Sequence, residues 1–489
     1  MLKFSLLTIL LAFLPNFAFS QIIYQNVSAT NLPLNSLSGN SMDAKPADVD
    51  GDGDLDIFVA CEFCPNKLLI NDGNGVFTNE SVSRLPQVVN DSEDIAVADF
   101  DGDNDIDVFF VSEDDSLNEF YLNDGNGFFT NANNLIPVNG ESNATIAVDV
   151  EDDGDFDILI GNNGQNVILI NDGSGNFTNE TSLRLPPNTN ITQDLEFGDV
   201  DGDGDKDLLE GNENGNRLLL NDGNGVFTET TSQLAFTPNG EETREAEFGD
   251  VDGDNDLDIF FANVTFLQGK PSQNRLLLND GNGFFTDETI INLPIEGKNT
   301  VDGDFVDVDS DGDLDLVLSN SFNASFQILE NDGNGDFIEA TNTFIPSQQP
   351  TGDLIDAEFA DFNGDGLTDL YLCGFGQSDY LYFAVDLANS VEEIGTPKTF
   401  SLSQNYPNPF NPSTFINYEL EITNYELVKL VIFNIRGEKV KEFVLPETKG
   451  SVVWNGKNEF GNQVASGIYF YGIESSKGSS ELRKMVLLK

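Results

Sequence analysis

Asp48-Val49-Asp50-Gly51-Asp52-Gly53-Asp54-Leu55-Asp56 alternates carboxylates with small or apolar residues. The pattern returns at residues 99–107, 149–157, 199–207, 250–258, 307–315 and 361–369, its starts 51, 50, 50, 51, 57 and 54 residues apart. A period of roughly 50 residues is too long for a simple helical pair and suits one four-stranded blade per unit. The expected fold is therefore all-β, a seven-bladed β-propeller of four-stranded blades.

The spacing inside the stretch carries its chemistry. Calcium takes six to eight hard oxygen ligands at about 2.3–2.6 Å, and a tight loop supplies them from alternate positions, one backbone carbonyl and a terminal carboxylate. Position 1 is Asp48, Asp99, Asp149, Asp199, Asp250, Asp307 and Asp361; position 3 is Asp50, Asp101, Glu151, Asp201, Asp252, Asp309 and Asn363. Position 5 is Asp52, Asp103, Asp153, Asp203, Asp254, Asp311 and Asp365. Position 9 closes each loop with Asp56, Asp107, Asp157, Asp207, Asp258, Asp315 and Asp369. Position 7 offers only its carbonyl, so its side chain is free to vary: Asp54, Asp105, Asp155, Asp205, Asp256, Asp313 and Leu367. Position 6 must tolerate positive φ, and it holds Gly53, Asn104, Gly154, Gly204, Asn255, Gly312 and Gly366. Turns alone would not need fixed carboxylates at positions 1, 5 and 9. Two like charges 4 Å apart cost about 4 kcal/mol at an effective dielectric of 20, so each loop calls for a cation. Up to seven calcium ions are expected.

The formal charge is −63. From Pro397 onward eleven Lys and Arg stand against nine Glu and no Asp, so the acidity belongs to the repeats. Seven calcium ions would leave that region acidic still, which argues against nucleic acid or anionic membrane surfaces as partners. Residues 1–20, with Lys3, an apolar run and an Ala18-Phe19-Ser20 exit, read as a secretory signal peptide. No later stretch has the length of an apolar membrane span. The chain has no His and three Cys. In an exported protein Cys61 and Cys64 read as a local disulfide, with two free thiols as the alternative.

Each unit reads as four strands, in the second unit 94–98, 107–111, 119–123 and 128–130. The turn Asn123-Asp-Gly-Asn-Gly127, repeated at 71–75, 171–175, 221–225, 279–283 and 331–335, is a hairpin signal, a second metal site there being the alternative. The seventh unit stops one strand short after Asp379-Tyr-Leu-Tyr-Phe383. Ile23-Tyr24-Gln-Asn26-Val-Ser28 matches Val76-Phe77-Thr-Asn79-Glu-Ser81, so the N-terminal strand is expected to close the last blade and remove exposed edges. The propeller is placed at 21–384, a linker at 385–399 and a further domain at 400–489. In that domain Asn405-Tyr-Pro-Asn-Pro-Phe-Asn-Pro-Ser-Thr414 reads as extended, and strand-like runs at 428–435, 467–473 and 483–488 suggest a small β-sandwich.

The seven loops, with Phe197-Gly198 and Phe248-Gly249 ahead of two of them, resemble the FG-GAP/VCBS repeats of secreted bacterial proteins and of the integrin α-subunit propeller. Here all seven units carry a loop, whereas the integrin propeller has them in only some blades. The resemblance implies calcium-stabilised blades and adhesion or ligand binding. Gln404-Asn-Tyr-Pro-Asn-Pro-Phe410, Trp454-Asn-Gly456, Ala465-Ser-Gly467-Ile-Tyr469 and Lys484-Met-Val-Leu-Leu-Lys489 resemble the C-terminal sorting domain of type IX secretion cargo. That implies contact with the outer-membrane type IX machinery and a secreted or surface-attached protein.

The expected function is a binding or adhesion module for a protein or glycan ligand, monomeric and not an enzyme. The rival classes are a polysaccharide-degrading enzyme and a purely structural surface protein. The lack of His excludes Ser-His and Cys-His sites, and most clustered carboxylates are assigned to calcium. Loops after the second strand vary most, and residues 263–273, with Phe266, Lys270 and Pro271, are the first candidates for recognition.

Overall fold

Val108, Phe109, Phe110 and Val111 are all fully buried, because the strand that carries them, Asp107–Ser112, has packed side chains on both faces. A strand without a solvent face shows an unbroken apolar run instead of alternation. The computed structural model describes residues 22–33, 39–113, 117–235, 240–295, 297–321, 326–387, 400–420, 429–436, 439–445, 449–475, 478–479 and 482–488. The expected signal peptide and residues 388–399 of the expected linker lie outside the described residues. The chain divides into two compact units, Met1–Leu387 and Ala388–Lys489. Among the described residues no helix is long and apolar enough to cross a membrane.

In the first unit the order Asn90–Ala98, Asp107–Ser112, Glu119–Asn123, Phe129–Asn131 pairs antiparallel throughout. The first strand starts at Asn90 rather than 94, since a register shift between Ser92 and Ile95 interrupts its alternation. The same four-strand order recurs in separate sheets that begin with Ser142–Val148, Thr192–Gly198, Thr243–Gly249 and Thr300–Val306. It also recurs inside a twelve-stranded sheet, in the sets led by Gly39–Ala47 and Asp353–Ala360. The architecture is thus all-β, built of repeated four-stranded sheets as in a propeller.

The core lies between successive sheets. Phe58 and Leu68 pack with Val108, Phe110 and Tyr121; Phe109 and Phe120 pack with Ile158, Ile160 and Leu169. Full burial of each such side chain contributes about 1.5–3 kcal/mol. Ile57, Val59 and Leu69, from early in the chain, pack with Tyr371, Cys373 and Leu381 from the end of the unit.

Strand Ile22–Asn26 pairs antiparallel with Tyr380–Asp386, Ile22 opposite Asp386 and Asn26 opposite Tyr382. Ile22 and Tyr24 are buried there. The Ser28 hydroxyl accepts the Leu381 N–H at 2.8 Å. Ser81 does the same for Leu68, Thr181 for Ile168 and Thr341 for Ile328. In all four places the hydroxyl belongs to the first residue of a four-residue helix, such as Ser81–Arg84. Strand patterning alone does not reveal those helices.

The second unit has a three-stranded sheet (Phe400–Leu402, Thr414–Leu420, Lys449–Trp454) and a five-stranded one that includes Lys429–Asn434, Gly467–Ser475 and Arg483–Leu487. Both contribute to one core, in which Ile416 and Trp454 meet Leu430, Ile432 and Tyr471. The Pro-rich stretch is not extended as expected. Its start is tied to the residue just past its end, Tyr406 bridging Phe415, and its middle to the C-terminal strand, Phe410 bridging Leu487, so the chain bends between them.

Candidate functional site

Each acidic loop joins the first and second strands of its sheet and is wound by its own carboxylates. In the first, Asp48 accepts the N–H groups of Gly51 and Gly53, and Asp52 accepts that of Asp54. Position 6 has positive φ in all seven loops, from 71° at Asn104 to 100° at Gly312. Position 4 does too, including the non-glycine Asp152 and Ser310. Winding of this kind turns side chains at positions 1 and 3 toward one point.

Carboxylate oxygens of Asp48, Asp50 and Asp56 lie within 4.8 Å of one another, as do those of Asp99, Asp101 and Asp107, and of Asp199, Asp201 and Asp203. Oδ1 of Asp50, Asp101 and Asp309 is buried without a hydrogen-bond partner. Such hard, orphaned oxygens suit calcium. Position 7 differs: a Cβ at Gly73 would run into the Asp54 carboxylate, and Asp105, Asp155, Asp205, Asp256 and Asp313 stand equally close to a turn glycine. These side chains face the neighbouring hairpin turn, so of position 7 only the carbonyl would be left to face an ion in the loop. Two loops also have an internal counterion, Arg84 beside Asp50 at 3.3 Å and Arg184 against Glu151.

Position 9 ties the loop to the turn. Asp56 accepts the Val49 N–H through Oδ2 and the Asn71 N–H through Oδ1, at 3.3 and 2.8 Å. Burial, opposed by these hydrogen bonds and reinforced by neighbouring loop carboxylates, pushes Asp56 up to about 7, and Asp107, Asp157, Asp207, Asp258, Asp315 and Asp369 with it.

A second concentration of carboxylates was not singled out from sequence. Five residues before the loops stand Asp43, Asp94, Asp194, Glu245, Asp302 and Asp356, with Ala144 in the third unit; three before them stand Lys45, Glu196, Glu247, Asp304 and Glu358, with Ala96 and Ile146 in the second and third. All lie on the first strands. The first group and Lys45 line a cavity of about 420 Å³, together with Met42, Val301, Ile355, Phe266 and Phe375. The Asp356 carboxylate accepts the Ala44 N–H, Asp94 that of Thr145 and Asp194 that of Ala246, each linking one four-strand set to another. The signal was available in the fixed offset from each loop. An acidic residue inside a strand reads as solvent-facing, which hides the meaning of the offset.

The cavity electrostatics follow from burial. Burial pushes Asp94 and Asp194 up to about 6. Burial, and then the adjacent Asp194, pushes Glu196 up to about 8; burial, and then Glu358, does the same for Asp304. Lys45 is held by Glu358 and by Asp43 at 3.4 Å. Glu62, Glu113, Phe266, Ser321 and Phe375, at or beyond the end of the second strand in their units, line the cavity, so it lies at the ends of the strands away from the acidic loops. Of the three residues singled out in 263–273, Phe266 reaches this lining, with the Arg244 guanidinium 5.0 Å from its ring centroid. Lys270 instead donates to the Glu241 carbonyl at 2.9 Å. Cys61 and Cys64 are disulfide-bonded at this end, within the last residues of strand Asp56–Cys64 rather than in a loop.

The FG-GAP-like repeat model matches residues 48–110, 99–160, 149–210, 199–261, 264–318 and 307–372, and the secretion system C-terminal sorting domain matches 404–488. No curated protein matches the chain. Among solved structures it is similar to an Agrocybe aegerita lectin that recognises non-reducing terminal N-acetylglucosamine, at 18% identity and a TM-score of 0.43 over 67% of this chain and 92% of that one. It is also similar to PorZ, a surface component of the Porphyromonas gingivalis type IX secretion system, at 14% identity and a TM-score of 0.43 over 89% of this chain and 58% of that one. A third similar structure is BBS1N in complex with ARL6DN, at 10% identity and a TM-score of 0.48 over 74% of this chain and 96% of that one.

Proposed function

Because the chain belongs to the FG-GAP-like repeat family and carries a type IX secretion sorting domain, we propose that it is a calcium-stabilised, seven-bladed propeller acting as a binding module. The sorting domain directs it through the type IX system to the cell surface or the medium. Strand Ile22–Asn26 serves as the outer strand of the last blade, and calcium holds the seven loops against self-repulsion. The ligand, a protein or a glycan, enters from the cavity end.

One observation carries the reading: the cavity opens where the repeats differ. The acidic loops repeat in every unit, whereas 263–273 and the shorter 211–216 share neither length nor composition. Varied loops on a repeated scaffold are the usual carriers of recognition. The test is an array of glycans and surface proteins probed with the full chain. Shortening 263–273 to the length of 211–216 is expected to weaken the captured ligand's binding without lowering the melting temperature. Unaltered binding would move the site elsewhere.

A catalytic role is the second reading, favoured by buried acids such as Glu196 and Asp304 whose affinity for protons is raised. Cleavage of an acidic polysaccharide that Glu196→Gln abolishes would establish it.

A further inference from the structure

We propose that the cavity takes an organic cation, its alkylammonium group seated among Asp194, Glu245, Asp302 and Asp304, which line it. The inference rests on the reading that the cavity end is the binding end, and it names the ligand's chemistry.

The first support is an imbalance of charge. Lys45 answers Asp43 and Glu358 on one side. Among the described residues, no Lys or Arg stands within 4.0 Å of Asp194, Glu245, Glu247, Asp302 or Asp304. Arg244, the other cation in the lining, is already held by Gln193, Glu213 and Glu242.

The second support is an oxygen without a partner. Asp302 is 5% exposed and lines the cavity, and its Oδ2 has no hydrogen bond; Oδ2 of Asp304, also in the lining, has none either. A buried carboxylate oxygen left unpaired is destabilising, which a bound ammonium would offset. Burial and the neighbouring acids raise the proton affinity of Glu245, Glu247 and Asp302, opposed at Asp302 by Ser319 and by the more distant Lys45.

Lys45 supplies the geometric precedent, since its own ammonium sits between the carboxylates of Asp43 and Glu358, which come from two four-strand sets of the twelve-stranded sheet. A divalent metal fits less well. The acidic loops gather their oxygens by winding nine consecutive residues, whereas these four come from three separate strands around a cavity of about 420 Å³. Apolar Val301, Ile355 and Met42 line the same space and suit the methylene stem of an amine.

The ammonium could belong to a free oligoamine or to a lysine side chain on a protein. Calorimetric titration of the full chain, in saturating calcium, with spermidine and separately with a lysine-rich peptide distinguishes them. Saturable binding of either that excess magnesium does not displace is expected. Glu245→Gln should weaken it about tenfold or more, and the melting temperature should not fall, because the amide keeps the shape and relieves repulsion. Asp302→Asn provides the same reading should that variant misfold. Binding of neither probe overturns the cation, and binding indifferent to these substitutions overturns its placement. A neutral ligand lost on shortening 263–273, with no amine bound, leaves the binding end intact and removes only the cation.

Discussion

The Asn71 side-chain amide donates to the Phe362 carbonyl at 2.8 Å, across 291 positions of sequence. Equivalent bonds run from Asn123 to Val49, Asn171 to Phe100, Asn279 to Val200 and Asn331 to Val251, all at 2.8 Å. Each hairpin turn therefore holds the acidic loop of the preceding sheet, and the first turn holds the last loop. Asn71 also donates to Leu55 and accepts from Gly73 and Gly75. Asn71→Ala removes all four bonds and should cost roughly 2–4 kcal/mol in urea unfolding. Asn171→Ala, inside the array, should cost about as much. A much smaller loss at Asn71 would mean that the two ends of the array do not meet in solution.

Removing residues 21–28 should leave Tyr380–Asp386 with an unpaired edge that seeks another chain. Light scattering is expected to show dimers or larger species, and the melting temperature should drop. A monomer of unchanged stability would count against closure by Ile22–Asn26.

Chelation should lower the melting temperature sharply, and calcium should restore it; each site filled at 100 times its dissociation constant adds about 2.7 kcal/mol. Asp101→Asn should remove one ion from the count in native mass spectrometry, because its orphaned oxygen aims at the loop centre. Asp105→Asn should keep it, since that side chain faces the turn at Gly125. Equal ion counts in both variants would contradict the ligand assignment.

Two acids of the first strands set a pH dependence of defined sign. Glu196 and Asp304 titrate near 8 in the folded protein, above their unfolded values of about 4. A raised carboxyl stabilises the fold fully below its unfolded value, and that contribution is lost as pH climbs through the folded one. In saturating calcium, the Glu196→Gln/Asp304→Asn variant should gain stability relative to the parent as pH rises from about 5 to about 9. A pH-independent difference between the two proteins would show that these groups titrate normally.

Much of this was legible in the chain itself. The offset of Asp56 from Asp48 and the Asn71 turn announced the loop and hairpin, and the likeness of Ile23–Ser28 to Val76–Ser81 announced the pairing of Ile22–Asn26. The bulge at Ser92 was not legible, because a register shift depends on the partner strand. Nor was the bend after Asn405, which depends on the pairing of Tyr406 with Phe415 and of Phe410 with Leu487, the latter far along the chain. The inner acids escaped for a different reason. Glu245 and Glu247 alternate with Ala246 and Phe248 as they would on a wet sheet face, and only the assembled sheets turn that face inward.

The pairing of Ile22 with Asp386 also constrains the order of assembly. Bringing together residues roughly 360 positions apart in a flexible chain costs about 5 kcal/mol of loop entropy, whereas each internal sheet joins neighbours within a few dozen residues. The internal sheets can form as their segments emerge from synthesis, but the last one must wait for Tyr380–Asp386. Until then Ile22, Tyr24 and the apolar face of the final sheet stay open to solvent, and the protein is most prone to misassociate during that interval.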